Sequence, residues 1–454
     1  MMTLIQEKIS QLQHDYGVSA VLCDLMAHHF EHEPAPGLTR LSSHQLADKW
    51  GVPRLEVLEA FLYATRLGIL DLAWVVRCPS CRELVVGGVN LQHLKPEATC
   101  GCCQIDIEAA FDELVEITFN VNRNIRQYDQ PKWRDLYQYW QWYTPHILPF
   151  TVPAHTTLTY PLTLTPGAYQ LHRAPYIHYT VPIAVTESVS DTVQEIYILN
   201  NDEDIVRRDK IFHHAGQLNL NITNESDQPV ELMISRYNQY PWVTAAQVAS
   251  CQIFRDLFAT ELISEDESFG VQNIVFMFTD IKGSTELYEQ LGDSQAYYLV
   301  KKHFKILTDK IRRHNGAIVK TIGDAVMATF TVSTDAIQAI LAAQQAFDEF
   351  NIQEQTRDNI IIKVGAHRGP CIAVTSNDRL DYFGRTVNLA ARIQGLSAGQ
   401  DIVLSQTLYD EPAVRHLISQ SAWQTRHFQA SLKGIENLYN VVQLTPPKGV
   451  MSDE

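Results

Sequence analysis

Asp280 ends an apolar, β-prone run (Ile274–Phe278 in IVFMFTD), and Asp324 precedes another, AVMATF at 325–330. Two carboxylates raised on strand ends, one of them followed by Gly283, Ser284 and Thr285, suit a Mg²⁺–triphosphate site. Mg²⁺ takes one or two carboxylates together with substrate phosphate oxygens. The amide groups of a helix opening at Gly283–Thr285 would receive phosphate. By itself such a pair fits many phosphoryl-transfer reactions.

Four cysteines form a second constellation, Cys78-x-x-Cys81 and Cys100-x-x-Cys103, with eighteen residues between the pairs. This is zinc-ribbon spacing, and four thiolates would close a tetrahedral structural site with no open position for substrate. Cys102 could replace Cys103 in the second knuckle. Cys23, Cys251 and Cys371 stand alone and read as small buried hydrophobes.

The elements that must position these residues fall into a multidomain α+β plan. At 454 residues with 45% apolar content, two or three folded domains are expected. Residues 1–75 read as helical, and Leu46–Leu70, turning at Gly51-Val52-Pro53, has the pattern of a helix-turn-helix. Residues 76–110 hold the ribbon. Residues 111–240 read as β-rich, a sandwich or open barrel able to act as a sensor, from the runs 115–121, 157–164, 176–185 and 218–222. His172, His178, His213 and His214 there read as ordinary surface or core histidines. Residues 241–270 read as a linker with a transmission helix over 242–262, where Thr244 and Gln247 fit a capping box and Ala246, Ser250, Ile253 and Leu257 share a face. From about 271 to 445 the pattern is α/β. Strands are expected at 274–279, 317–320, 325–330, 360–366, 402–405 and 433–444, with helices near 284–314, 334–350 and 386–396.

The net charge of −16 argues against a protein that grips a nucleic-acid backbone. No run approaches the roughly 20 apolar residues of a membrane span, and the N-terminus has no signal-peptide core. A cytoplasmic protein is expected.

Four separated motifs agree in order: FTDIKGST around Asp280, KTIGDAVMATF from Lys320, GAHRG at 365–369, and DYFGRTVNLAAR at 381–392. Together they resemble the class III nucleotidyl cyclases, over about Asn273–Leu444. The resemblance implies a ferredoxin-like α/β catalytic domain that makes a 3′,5′-cyclic nucleotide and pyrophosphate. It implies that Asp280, Asp324 and the Ile281 carbonyl hold two Mg²⁺ or Mn²⁺ ions, one lowering the pKa of the ribose 3′-OH and the other neutralising the β- and γ-phosphates. Asn388 would orient the ribose, and Arg392, four residues on along the same helix face, would stabilise charge at the α-phosphate. Lys433, in LKGIENL, matches a phosphate-contacting Lys-Gly of the family. A further phosphate-contacting Arg of some relatives is missing, and AGQDIV stands there.

Lys320 and Asp381 bear on the substrate. Adenine offers an acceptor at N1 and a donor at N6, which a Lys ammonium and a carboxylate complement; guanine offers the reverse. A site built to bond one edge rejects the other because its polar groups are left unpaired. The pair thus resembles the adenylyl version, with ATP as substrate. In the family the carboxylates act from one subunit, and the base-reading residues, Asn and Arg from its partner, so a homodimer with composite sites is implied. Residues 1–240 look like an uncharacterised domain family found ahead of bacterial cyclases. An unidentified ligand or protein would then regulate the enzyme. The alternatives are a guanylyl or other nucleotidyl cyclase, and a DNA- or ligand-binding regulator with an inactive cyclase domain.

Overall fold

The computed structural model describes residues 4–77, 84–99, 106–131, 146–173, 180–189, 193–200, 205–207, 212–236, 242–264, 266–354, 359–435 and 437–447. Cys78, Cys81, Cys100, Cys102, Cys103 and His178 lie outside these residues. The chain divides into two compact units, one of 1–87, 97–107 and 118–242 and the other of 88–96, 108–117 and 243–454.

The first unit opens with helices Leu4–Tyr16, Ala20–His32, Ser43–Trp50 and Arg54–Arg66. The last two are joined by a short turn: Ser42 caps the first through the Gln45 amide, and Gly51 ends it in the left-handed conformation (φ 67°) that glycine adopts without steric cost. The helical run stops earlier than the sequence suggested. Leu70–Arg77 is a strand, in keeping with the alternating and β-branched residues of LDLAWVVR. The β-rich part is an eight-stranded arrangement in which Phe212–Asn224 is the pivot. Its first four residues pair with Thr180–Val189, with a register shift between His214 and Ala215, and from Gly216 onward it pairs with Thr156–Leu164 and Gln194–Asn200. Its core holds Leu162, Leu171, Ile196, Leu220 and Ile234. His213 is buried and His214 exposed.

In the second unit, Thr244 forms the expected capping box with Gln247. The helix is not continuous, however. It runs as α1 (Ala245–Ala249) and α2 (Gln252–Leu257), broken where Cys251 turns extended (φ −92°, ψ 119°). Then follow β1 (Phe269–Ile281), α3 (Ser284–Arg313), β2 (Ala317–Ile322), β3 (Ala325–Phe330), α4 (Ser333–Glu354), β4 (Ile362–Ser376), β5 (Arg379–Phe383), α5 (Arg385–Gln394), β6 (Ile402–Ser405), α6 (Gln406–Tyr409), α7 (Pro412–Ser419), β7 (Gln424–Ala430) and β8 (Tyr439–Thr445).

The sheet order is β2-β3-β1-β4-β6-β8-β7, with β5 hairpinned onto β4. Its first four strands, all antiparallel neighbours, are the ferredoxin-like β4-β1-β3-β2 arrangement. Helices α3 and α4 cover one face through Leu299, Leu307, Ile337, Ile340 and Phe347 over Val275, Met277, Ala328 and Val364. On the other face α5 lies directly on β4, because a Cβ at Gly365 would sit 2.2 Å from the Gln394 amide nitrogen. The expected strand over 433–444 starts only at Tyr439; Gly434 (φ 74°) sits in a turn closed by Ile435 N–H to the Leu432 carbonyl at 2.9 Å.

Candidate active site

Central strand β1 carries Asp280 one residue from its end. Neighbouring β3 begins after a tight turn at Gly323-Asp324, and its register (Val326 opposite Thr279) sets Asp324 beside Asp280. Asp324 Oδ2 accepts from the Ile281 amide at 3.3 Å. Burial, then the charge and hydrogen bonding of Asp324, push the Asp280 carboxyl above its ordinary pKa. Lys363, opposite Asp280 on β4, only partly offsets this. Two hard oxygen donors raised against each other are what a Mg²⁺ or Mn²⁺ ion would relieve. Among the described residues no three His, Cys, Asp or Glu side chains converge, so further ligands would be backbone, water or substrate oxygens.

Beneath this turn lies a residue the sequence did not flag. His303 of α3 is fully buried near Asp324, against Phe304 and Phe347. Burial drives its pKa down to about 4, so it packs as a neutral ring. The Ser284–Thr285 end of α3 has Gly283 as its N-cap (φ 67°) with no side-chain cap, as a phosphate-receiving helix end would require.

Lys320 and Asp381, sixty-one residues apart, meet: Lys320 Nζ lies 2.6 Å from Asp381 Oδ2, with side chains 38% and 8% exposed. A β-bulge between Ile318 and Lys320 re-aims the lysine, and the Phe383 ring lies 5.6 Å from its ammonium. Asp381 Oδ1 accepts from the Tyr382 amide at 2.8 Å.

Gly384 (φ 140°) turns the chain from β5 into α5. Asn388 and Arg392 of α5, with Arg385, Gly434 and Tyr439, line a cavity of about 690 Å³. Asp280, Asp324, Lys320 and Asp381 do not line it. Lys433 is exposed next to Gly434, whose Cβ position is 3.5 Å from Arg392 Nη2. Arg385, within DYFGRTVNLAAR, is a lining residue that the sequence motif did not single out. In AGQDIV, which stands in place of the further arginine, Asp401 ties the loop, accepting from Ser397 Oγ (2.6 Å), Gly399 N (2.9 Å) and Gln443 Nε2 (2.5 Å).

This arrangement of paired carboxylates, ion-paired Lys and Asp, and an Asn/Arg helix coincides with a family match. Residues 267–438 match the family described as adenylate and guanylate cyclase catalytic domain. The C-terminal part of the chain belongs to the class III cyclases. Residues 2–144 match a family of unknown function (DUF5939). An adenylate cyclase of Anabaena cylindrica is 26% identical over 254 residues, covering 51% of this chain and 48% of that protein. Adenylate cyclase 2 of Rhizobium meliloti (strain 1021) is 28% identical over 152 residues, 31% of this chain and 42% of that protein. The chain thus spans about half or less of the length of these relatives. Among solved structures, the adenylyl cyclase CyaB from P. aeruginosa aligns at 24% identity and TM-score 0.35, covering 41% of this chain and all of that one. The guanylate cyclase domain of RhGC from Catenaria anguillulae, in complex with GTP, aligns at 20% identity and TM-score 0.33, covering 39% of this chain and 99% of that one. No helix among the described residues is long and apolar enough to cross a membrane.

Proposed function

We propose that the chain is an adenylyl cyclase, converting ATP to 3′,5′-cyclic AMP and pyrophosphate. The observation that carries the choice of ATP is the Lys320–Asp381 pair, held at 2.6 Å with the carboxylate buried. Lys320 donates to adenine N1 and Asp381 accepts from N6. Guanine would leave both groups facing like partners. Asp280 and Asp324, with the Ile281 carbonyl, would hold two divalent cations, which when bound would polarise the 3′-OH and neutralise the triphosphate. The ribose 3′-oxygen attacks the α-phosphorus, and the bond to the oxygen bridging to the β-phosphate breaks. Pyrophosphate leaves with the bonding electrons and the hydroxyl proton passes to solvent. Asn388 orients the ribose. The Arg392 guanidinium offers its fork to charge growing at the α-phosphate. Lys433 and the amides of Ser284 and Thr285 receive the phosphate tail.

The carboxylate pair and the Asn388–Arg392 cavity are separate half-sites in this reading, completed in a head-to-tail homodimer. Exposed Ile322, beside the Asp324 turn, and exposed Phe383 and Leu438, beside Lys320 and the cavity, give that interface its apolar cover. The N-terminal unit tunes the rate in response to a ligand or protein. The spacing of Cys78, Cys81, Cys100 and Cys103, which lie outside the described residues, is what supports a structural zinc there. In this reading the enzyme works in the cytoplasm, where ATP is abundant.

Turnover of each of the four nucleoside triphosphates by the purified full chain, with Mg²⁺ or Mn²⁺, tests the reading. Cyclic AMP is expected as the main product. A Lys320→Glu, Asp381→Cys double substitution should move preference toward GTP. No cyclic nucleotide from the dimeric protein would sink the proposal, and an unmoved preference in the double variant would sink the base reading.

A further inference from the structure

Helices α1 and α2 precede the catalytic core in sequence yet bond into its sheet at three places. Gln252 Oε1 accepts the Ile318 amide of β2 at 2.8 Å. Ser250 Oγ lies 3.5 Å from Thr329 Oγ1 of β3. Arg255 Nη1 donates to the Leu380 carbonyl of β5 at 3.1 Å, while its Nε donates to the Ala249 carbonyl at 2.7 Å. The Arg255 guanidinium also lies 5.9 Å from the ring of Tyr382, itself buried against Phe276.

The two side-chain anchors on β2 and β5 fall next to the two base-reading residues. Ile318 is the last regular ladder position before the bulge that re-aims Lys320. Among the described residues edge strand β2 has no sheet partner on its outer side, and Gln252 gives the Ile318 amide an acceptor there. Leu380 immediately precedes Asp381, so its carbonyl fixes the peptide plane from which that carboxylate departs. Lys320 and Asp381 belong to strands at different places in the sheet: β2 is an edge, and β5 is an appendage of β4. Among the described residues no β-ladder joins β2 to β5. Among the described residues, the Lys320–Asp381 pair, the Phe383 ring beside the Lys320 ammonium and the six-residue helix α2 bridge them.

We propose that Gln252 and Arg255 are positioning residues that set the spacing of Lys320 and Asp381, and thereby the nucleotide preference of the site. This rests on the reading of Lys320 and Asp381 as the adenine-reading pair. The consequence is mechanical. A shift of α2 displaces both strands and opens or closes the 2.6 Å gap before any residue touching phosphate moves. Anything that moves the segment before the core therefore acts first on base recognition, seen in KM and in ATP/GTP discrimination, and only second on kcat.

The test uses the full chain, with kcat and KM for ATP and GTP measured on Gln252→Leu, Gln252→Glu, Arg255→Lys and Lys320→Ala. Gln252→Leu removes the acceptor for the Ile318 amide. It should raise KM for ATP and reduce the ATP/GTP ratio of kcat/KM by about tenfold, the scale of one hydrogen bond, with kcat within about threefold. Gln252→Glu retains an acceptor oxygen and should keep the parental preference. Arg255→Lys can serve one carbonyl but not both and should resemble Gln252→Leu, and it carries the test if Gln252→Leu does not fold. In a Lys320→Ala background, Gln252→Leu should change the ratio no further. If Lys320→Ala lowers the ratio while Gln252→Leu and Arg255→Lys leave it unmoved, or lower kcat equally for both nucleotides, the positioning role is wrong. If Lys320→Ala itself keeps the ratio, the base reading is wrong, and the positioning role falls with it.

Discussion

Replacing Asp280 by Asn should stabilise the metal-free protein while removing its activity. Asp280 and Asp324 face each other at the end of the central strand, and the folded state raises the Asp280 pKa through burial and through Asp324. Two charges about 4 Å apart repel by about 4 kcal/mol at an effective dielectric of about 20. Both carboxylates are only half-buried, and solvent screening brings the net cost to about 1–2 kcal/mol. For a unit of this size that corresponds to a rise of about 3–6 °C in the melting temperature of the variant. The pH dependence follows in sign. A carboxyl with a raised folded pKa costs stability only once it ionises. The parent should therefore lose ground to the Asn variant as pH rises from the unfolded value, about 4, through the folded one, and the two should converge in acid. Thermal unfolding with and without Mg²⁺ or Mn²⁺ is the assay. Metal should stabilise the parent markedly and Asp280→Asn little. An Asn variant that melts well below the parent, or that gains as much from metal, would refute the reading of this pair as a metal site.

If the active site is composite, mixing inactive Asp280→Asn with inactive Arg392→Ala should restore activity. Random exchange makes half the dimers mixed, each with one intact site of two, so recovery should approach about a quarter of parental turnover; none at all would place the whole site within one chain. The purified chain should carry about one zinc per protomer, lost when Cys78 and Cys81 become Ser. Stoichiometric absence of zinc from protein made in its presence would leave the ribbon reading without support.

How far the sequence exposed this structure depended on the range of each interaction. Asp280, Gly283 and Asp324 were legible because each sits where a strand meets a turn, and the local pattern states both. The capping box at Thr244 was legible for the same reason. Strand β7 was not: QTRHFQA has little apolar alternation, and it is a strand because β8 offers it seven paired positions. The break between α1 and α2 was hidden because Ala246, Ser250 and Ile253 keep helical spacing across it, and all three are buried on either side of the bend. Gln252, Arg255 and His303 carried no signal at all, since their partners lie 66, 125 and about 20–45 residues away. Arg385 stood inside a quoted motif, and only the cavity shows that it shares a wall with Asn388 and Arg392.

The least legible feature concerns where the catalytic unit begins. Residues 108–117, within the stretch matching the family of unknown function, belong to the same compact unit as the cyclase domain. Phe111 is fully buried against Phe269, its amide donates to the Gly270 carbonyl at 2.7 Å, and its carbonyl accepts the Ala246 amide at 3.1 Å. Asp112 accepts the Gln272 amide at 3.0 Å and the Asn273 amide at 2.8 Å, where β1 slips register between Val271 and Ile274. A bulge leaves amides without ladder partners, and a carboxylate is a strong acceptor for them. Strand β1 thus has Asp280 at one end and this staple at the other, and the Phe111 carbonyl meets the α1–α2 segment that anchors β2 and β5. A chain cut at residue 265 would lose every one of these contacts. Its activity would report an unpaired bulge and an exposed Phe269, as well as the loss of the N-terminal unit. The cleaner perturbation is Asp112→Ala in the full chain. Loss of two charge-assisted bonds at a half-exposed site should cost about 2 kcal/mol and lower the melting temperature by several degrees. Melting unchanged from the parent would mean that the catalytic unit does not depend on residues 108–117.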